Sequence, residues 1–389
     1  MIYFDHNATT PLLPVARQAW LDAADQFPGN PSSPHRLGSR ADSALNDARE
    51  RLAAALGCHA AEIIFTSGAT ESNNTVLHHI ARASASDAEV WVSAIEHPCV
   101  LEPARALLGG RLRLIPVSKS GVADLNWLEE ELQARRPALV AIMAANNETG
   151  ALQPWREARG FCQAAEVPFF CDAAQWIGKL PASGLGACDW VSGAAHKFGG
   201  PRGVGFLKGP TSLGIQPLIR GGPQEERRRA GTENVPGVLA MVAALAERER
   251  QIAAGEHLAL ESLRDDFERR LLESLPGSEI VSAQSPRLWN TVLALMPEAD
   301  CRQRWVVKLD RLGVAVSTGS ACSSGKEEPS HVLSALGLTP SQAARALRFS
   351  AGWATTAADW TGLLGALRTV REKIDAASNN PLAKSPDRE

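Results

Sequence analysis

From about residue 40 the hydrophobic positions of the chain alternate between two periods. In "ADSALNDARERLAAALG", Leu45, Ala48, Leu52 and Leu56 recur at helical spacing and the run stops at Gly57, the mark of an amphipathic helix with a glycine stop. "EIIFT", "EVWVS", "RLRLIPV", "ALVAIMAA" and "VPFFCD" are short apolar or β-rich runs, with helical segments between most of them. Near-continuous apolar strands alternating with helices predict an α/β fold whose largely parallel sheet is covered on both faces. Ligands bind such sheets at the carboxyl ends of the strands, and the polar clusters of this chain fall there.

The pattern changes near residue 250. "GEHLALESLRDDFERRLLESLPG" reads as a long amphipathic helix closed by Pro276-Gly277, "RLWNTVLALMP" as a strand, and "RWVVKLDRLG" followed by "VAVST" as helix then strand. "TTAADWTGLLGALRTVREKI" reads as a capped final helix, and the polar tail "NNPLAKSPDRE" as a frayed end. The expected organisation is a large domain, 14–252, and a smaller α+β domain, 253–389, joined by the N-terminal segment 1–13. A chain of 389 residues is long enough for two such cores.

Composition narrows the classes. Hydrophobic residues at 44% and charged residues at 21% describe an ordinary globular chain. A formal charge of -3 gives no electrostatic case for nucleic acid as a direct partner. The basic run Arg227 to Arg229 follows Glu225 and Glu226 and reads as a solvated surface turn. Seven cysteines, with no C-x-x-C pair, argue against a disulfide framework or a zinc ribbon, and no metal site is expected. "MIYFDHNATTP" lacks the basic and apolar regions of a secretion signal, and no apolar run is long enough to span a bilayer. A reducing cytoplasm is the expected compartment.

The candidate chemistry lies at strand ends. In "SGAAHKFGGPRGVG", Lys197 follows the strand "DWVSG" beside His196, where a partly desolvated lysine can form a Schiff base. A surface lysine in a turn is the plainer alternative. "GGPRGVG" looks like a dinucleotide fingerprint, but no helix-forming segment follows it. Asp172 ends the strand "VPFFCD", and "FTSGATESNN", Phe65 to Asn74, runs from a strand through a glycine into helical sequence. Pyridoxal phosphate needs an acid for its pyridine nitrogen, a lysine for its aldehyde and a cup for its phosphate, and a helix start supplies such a cup. Taken singly, each piece could be an N-cap or a strand-end carboxylate; cup, acid and lysine in this order are far more specific. His97 in "IEHPCV" and Asn147 in "ANNETG" end further strands, and Cys322 in "STGSACSSG" stands among small polar residues with nothing bulky to pack around it. A structural cysteine normally has apolar neighbours.

Together these segments resemble the pyridoxal-phosphate-dependent cysteine desulfurases of the class V aminotransferase superfamily. The resemblance runs through "YFDHNATTP", "GNPSSPHRLG", "TSGATESNN", "EHPCVLE", "NNETG", "DAAQWIGKLP", "AHKFGGPRGVG", "RAGTENVPG", "STGSACSSG" and "RFSAGWATT". It implies the pyridoxal-phosphate fold type I, with the large domain binding the cofactor. The cysteine loop is similar to the longer, mobile type associated with iron–sulfur cluster assembly and tRNA sulfuration.

By this resemblance Lys197 would carry the cofactor, Asp172 would pair with its pyridine nitrogen, Gln175 would bond its ring hydroxyl and His97 would stack on the ring. Ala69 and Thr70 would bind the phosphate, with His196 beside the lysine. Thr232 would reach the phosphate of a neighbouring subunit in a homodimer, and Asn147 and Arg348 would hold L-cysteine, Arg348 by its carboxylate. Lys197, with His97, would move the Cα proton. Cys322 would take the sulfur as a persulfide, release L-alanine and pass the sulfur to an acceptor protein, either a cluster scaffold or a tRNA thiolation enzyme. A selenocysteine lyase or another class V enzyme is the alternative.

Two positions depart from the family's pattern. Ala194 stands where a phosphate-binding serine is usual, with Ser192 two residues too early, which would weaken cofactor retention by about 1 kcal/mol. Trp353 stands where a basic residue is usual, which puts a contact near the substrate mouth or surface in question.

Overall fold

The computed structural model describes residues 1–211, 214–299, 305–318 and 330–378. Cys322 and the polar tail from residue 379 lie outside the described residues. A short strand β1 (Ile2–Tyr3) precedes seven strands that form one sheet: β2 (Ile63–Thr66), β3 (Val90–Ser93), β4 (Leu112–Ile115), β5 (Leu139–Ala141), β6 (Phe169–Asp172), β7 (Trp190–Ala194) and β8 (Gly205–Lys208). Their spatial order is β2-β8-β7-β6-β5-β3-β4, parallel from β7 to β4, with β8 antiparallel to both of its neighbours.

The apolar runs become strands because each feeds two cores. Along β6, Phe169 and Cys171 face one buried cluster and Phe170 the other. Along β3, Trp91 joins the first cluster while Val90 and Val92 join the second. Side chains alternate across a strand, so a strand apolar at every position must be covered on both sides. The helix Arg36–Leu56 supplies part of that cover through Leu45, Ala48, Leu52 and Leu56, all buried. It ends at Gly57, whose φ of 78° lies in the left-handed region that glycine enters without a Cβ penalty.

The smaller sheet contains β9 (Glu279–Ile280), β10 (Thr291–Leu295), β12 (Ser317–Thr318) and β13 (Ala346–Ser350), antiparallel in the order β12-β13-β10-β9. β11 (Val314–Ala315) instead pairs in parallel with β1. The helices Val235–Ala253 and Glu256–Ser274 meet at Gly255, whose φ is 72°. The final helix Ala357–Ser378 is capped as its sequence predicts: Thr356 N donates to Asp359 Oδ2 at 2.8 Å and Asp359 N to Thr356 Oγ1 at 3.3 Å. From β1 the N-terminal segment continues to a bridge between Asp5 and Ser350 of β13, which carries residues 5–9 across to the large sheet. Among the described residues no helix is long and apolar enough to cross a membrane.

One expectation is corrected. The segment Glu225–Arg229 is solvated only at Glu226 and Arg227. Glu225 is 6% exposed and takes a fork from Arg49 at 2.7 and 2.9 Å together with the Phe65 amide at 3.1 Å. Arg228 donates to the Ala61 carbonyl at 2.6 Å, and Arg229 pairs with Glu71 at 2.9 Å. A free amide on edge strand β2 and a nearby arginine draw the carboxylate inward. The backbone follows with three successive positive φ values, 47°, 55° and 67°, at Glu225, Glu226 and Arg227.

Candidate active site

The carboxyl ends of β2, β3, β5, β6 and β7 converge on a cavity of about 530 Å³, closed on one side by Ala8 and Thr9 of the N-terminal segment. Lys197, Asp172, Gln175, His97, His196, Asn147, Ala69 and Thr70 all line it. The structure thus brings together eight residues drawn from five separate motifs.

The cup forms where β2 runs through Gly68 into the helix Ala69–Ala83. The first intrahelical bond is Ser72 N to Gly68 O, so the amides of Ala69, Thr70 and Glu71 have no helical acceptor and face an anion site. Strand β8 presses against this turn. A Cβ on Gly205 would lie 2.5 Å from Gly68 Cα, so only glycine fits there. Glu71 accepts the Ser67 amide at 2.8 Å and the Arg229 guanidinium, which holds its carboxyl below the usual range against the effect of burial.

Asp172, at the end of β6, accepts the Ala174 amide on Oδ1 at 2.9 Å and Asn73 Nδ2 on Oδ2 at 2.8 Å. Across the cavity Lys197 ends β7 in a single 3₁₀ turn and donates to the carbonyls of Asn7 at 2.7 Å and Ala8 at 3.0 Å. Burial, and then the Arg348 cation, bring its amine down to about 8, against the pull of Asp172. Gln175 donates from Nε2 to the Asn7 carbonyl at 2.9 Å and accepts Lys179 Nζ on Oε1. His196 meets Thr9 Oγ1 at 3.2 Å, and burial beside Lys197 drops its imidazole to about 4. His97 caps the helix Pro98–Leu108, with Nδ1 accepting the Cys99 amide at 3.1 Å.

Two expected site residues, Arg348 and Thr232, stand outside the cavity lining. Arg348, on β13, pairs with Asp5 at 2.7 Å and donates to the Asn147 carbonyl at 3.1 Å. Its Nε is buried and has no partner among the described residues. Thr232 is exposed and does not reach the cavity of its own chain. Cys322 lies outside the described residues; the last described strand before it in the sequence, β12, pairs Ser317 with Arg348. Among the described residues that follow in sequence, Ser330 donates to Glu148 at 2.6 Å and His331 Nε2 meets the Glu96 carbonyl at 2.7 Å.

Of the two departures, Ala194 lines the cavity at the end of β7 with a methyl group, while Ser192 is fully buried, with Oγ unpartnered among the described residues. Trp353 is not at the cavity mouth. Its Nε1 donates to Gly178 O at 3.0 Å, and its ring packs edge-on to Trp289 at 4.9 Å and under Arg248 at 5.2 Å.

Sequence reasoning missed the residue that ties the site together. Asn7 is buried, and its carbonyl holds both Lys197 and Gln175. Its side chain accepts Lys179 Nζ at 2.8 Å and Asn290 Nδ2 at 3.1 Å, and donates to Thr291 Oγ1 at 2.9 Å and the Asn147 carbonyl at 3.1 Å. Lys179 is itself buried, and its amine is held well below the usual range by burial and by the Lys197 and Arg348 cations. Asn7, Lys179, Asn73 and Cys99 all sit inside the quoted segments, so polarity within those segments was the available signal.

The residues present fit pyridoxal phosphate. An amine that sheds its proton near neutrality suits the aldehyde, a buried carboxylate suits a protonated pyridine, and open helix-start amides suit a phosphate. The cavity also has the size of an ordinary cofactor pocket.

A family model for aminotransferase class-V matches residues 2–363. A cysteine desulfurase IscS of Dictyoglomus turgidum is 38% identical over 386 residues, 97% of this chain and 96% of its own. A cysteine desulfurase of Cereibacter sphaeroides is 38% identical over 383 residues, 97% of each chain. Among solved structures, a NifS-like protein from Rickettsia africae superposes with a TM-score of 0.85 at 30% identity, covering 96% of this chain and 99% of that one. A structure described as SspA in complex with cysteine gives a TM-score of 0.75 at 30% identity, covering 90% and 98%. Likeness of this degree, sustained from one end of the fold to the other, means that the chain belongs to the class V aminotransferase family, among its cysteine desulfurases.

Proposed function

We propose that this protein converts L-cysteine to L-alanine, places the sulfur on Cys322 as a persulfide, and hands it to an acceptor protein. The observation that carries the reading is the register of the small sheet. Ser317, on the last described strand before Cys322 in the sequence, pairs with Arg348, whose guanidinium is suited to a substrate carboxylate. The cysteine complex of the structurally similar SspA supports the same substrate.

Lys197, Asp172 and Gln175 would hold pyridoxal phosphate, with the open amides around Ala69 and Thr70 taking the phosphate. The bound cofactor withdraws electrons from the substrate's Cα and stores them. Arg348 and Asn147 orient the amino acid. Lys197, as a neutral amine, takes the Cα proton. The Cys322 thiolate then attacks the substrate sulfur: the Sγ–S bond forms as the S–Cβ bond breaks, and the three-carbon remainder is reprotonated and leaves as L-alanine. Free cysteine has a pKa of about 8.5, so approach to the cationic pocket is what raises the thiolate fraction. Exposed Thr232 suits a contact with a second subunit in a homodimer, and a thiol-dependent relay suits the cytoplasm. The acceptor is a cluster scaffold or a tRNA thiolation enzyme.

The test is Cys322→Ser. Alanine release from cysteine and protein-bound persulfide should both vanish, while the visible absorbance of the cofactor stays. Turnover at the wild-type level would overturn the reading.

A further inference from the structure

The ring nitrogens of His97 are not equivalent, and the reason lies in the direction of a chain of hydrogen bonds that starts at Asp172. Both Asp172 oxygens accept, from Ala174 N and Asn73 Nδ2. A carboxylate cannot face an amide oxygen, so Asp172 fixes which end of the Asn73 amide points inward. The same Nδ2 lies 3.0 Å from Cys99 Sγ. Its second hydrogen makes that sulfur an acceptor, leaving the thiol hydrogen to go elsewhere. Sγ is 2.9 Å from His97 Nδ1, which already accepts the Cys99 amide at 3.1 Å. Two donors aimed at one nitrogen exclude a hydrogen on it, since a backbone N–H cannot turn into an acceptor. A neutral ring must then carry its proton on Nε2. That nitrogen has no partner among the described residues, and His97 lines the cavity.

We infer that Asn73 and Cys99 are positioning residues that lock His97 as the Nε2–H tautomer, so that it offers the cavity a hydrogen-bond donor and not a base. The inference rests on the proposed desulfurase reading for its consequence: the Cα proton goes to Lys197 Nζ alone. Burial favours the neutral ring, as do the nearby Lys197, His331 and Arg348, while Asp172 opposes them. Protonating Nδ1 would require the thiol to rotate away and would still leave the Cys99 amide facing an N–H.

Nitrogen-15 ring spectroscopy of the histidine-labelled holoenzyme tests this without substrate, with the His97 signal identified by its loss in His97→Gln. The expected result at pH 7 is a neutral ring bearing hydrogen on Nε2; a hydrogen on Nδ1 overturns the inference. Cys99→Ala should move the His97 titration to higher pH, and Cys99→Ser, which can still donate, should restore it. A titration unmoved by Cys99→Ala removes the thiol from the account. In turnover, His97→Gln can still present an N–H and should keep at least about tenfold more kcat than His97→Ala, in the range expected for one positioned donor. Equal loss in the two variants overturns the donor role. Because the spectra need no cysteine, failure of the tautomer and failure of alanine formation are separate results.

Discussion

The amine of Lys197 should load its cofactor at a pH where an ordinary lysine could not. An ammonium cannot attack an aldehyde; only the neutral amine can. Lys197 is half-buried, and desolvation, then the Arg348 cation, brings its amine from 10.5 to about 8. At pH 7 an amine at 8 is about 10% neutral and one at 10.5 about 0.03%, a gain of roughly 300-fold in reactive species. The sign follows from the cause: burial and a nearby cation both penalise the charged form, so the neutral form dominates above about 8. Protein stripped of cofactor and mixed with dilute pyridoxal phosphate between pH 7 and 10 should therefore develop visible absorbance at a rate that climbs toward about 8 and then levels. In Arg348→Gln the second-largest cause is gone and Asp5 is left unpaired. Both changes favour the ammonium, so the break should move above about 8, while burial, the largest cause, still holds it below the ordinary lysine value. A rate that keeps rising to pH 10 in the unaltered protein would refute the reasoning, as would an Arg348→Gln profile displaced downward.

Four further outcomes follow. Asp172→Asn should still form the Lys197 adduct, seen by absorbance, but lose alanine formation by about 100-fold or more, the scale of one misplaced electrostatic partner. Asp5 holds Arg348 with its own side chain about a quarter exposed, so it competes with a substrate carboxylate; Asp5→Asn should lower KM for cysteine about fivefold, the worth of about 1 kcal/mol, and a raised KM would show that Asp5 serves to orient. Glu225→Ala strands Arg49 and the Phe65 amide and should cost about 3–5 kcal/mol, read as an earlier denaturant midpoint. Burial lifts Glu148 to about 7, so the folded state holds a proton that the unfolded chain releases above its ordinary 4.5; this stability is lost as pH rises from about 4.5 to 7, and Glu148→Gln should flatten the fall in denaturation midpoint between pH 5 and 8, a slope unchanged by the variant counting against it.

Most strands of the large sheet were legible because each is short, largely apolar and closed by a polar cluster, a pattern that burial on both faces imposes; edge strand β4, with Arg113 and an exposed Leu114, is the exception. The cavity residues were legible for the related reason that strand ends are where such a sheet exposes groups to a ligand. Asn7 and Lys179 were not. Asn7 belongs to no periodic element, and its partners lie at 147, 175, 179, 197, 290, 291 and 350, so its importance exists only after the N-terminal segment has crossed from β11 and β13 to the large sheet. Lys179 carries a charge that single-sequence reasoning assigns to the surface. Its burial is tolerated because Asn7 and Gln175 supply oxygen acceptors, and neither acceptor is next to it in the chain. Glu225 misled for the converse reason. A run of charges looks solvated until Phe65 and Arg49, far away in sequence, are seen to point at it.

The same geometry bears on which thiol can receive sulfur. The cavity has a cysteine of its own, Cys99, so the role of Cys322 is not an assignment by default. Cys99 fails on two grounds. Burial, and then Asp172, push its thiol to about 12, leaving a negligible thiolate fraction at neutral pH, and its sulfur is tied to Asn73 and His97 in the first turn of a helix. Cys162, Cys171 and Cys188 are buried core residues, and burial raises Cys58 to about 11. A sulfur relay needs a thiol that can ionise and can leave the pocket. Among the described cysteines none meets both demands. Cys322 stands in the sequence among serines and glycines, without the apolar neighbours of a packed thiol. Cys322→Ser is therefore a stringent test, because none of the described thiols is placed to rescue it. Residual persulfide in that variant, mapped to Cys99, would show that the hydrogen-bond chain does not disarm that sulfur and would refute the thiol's part in holding His97, while the Cys99 amide on Nδ1 would still stand.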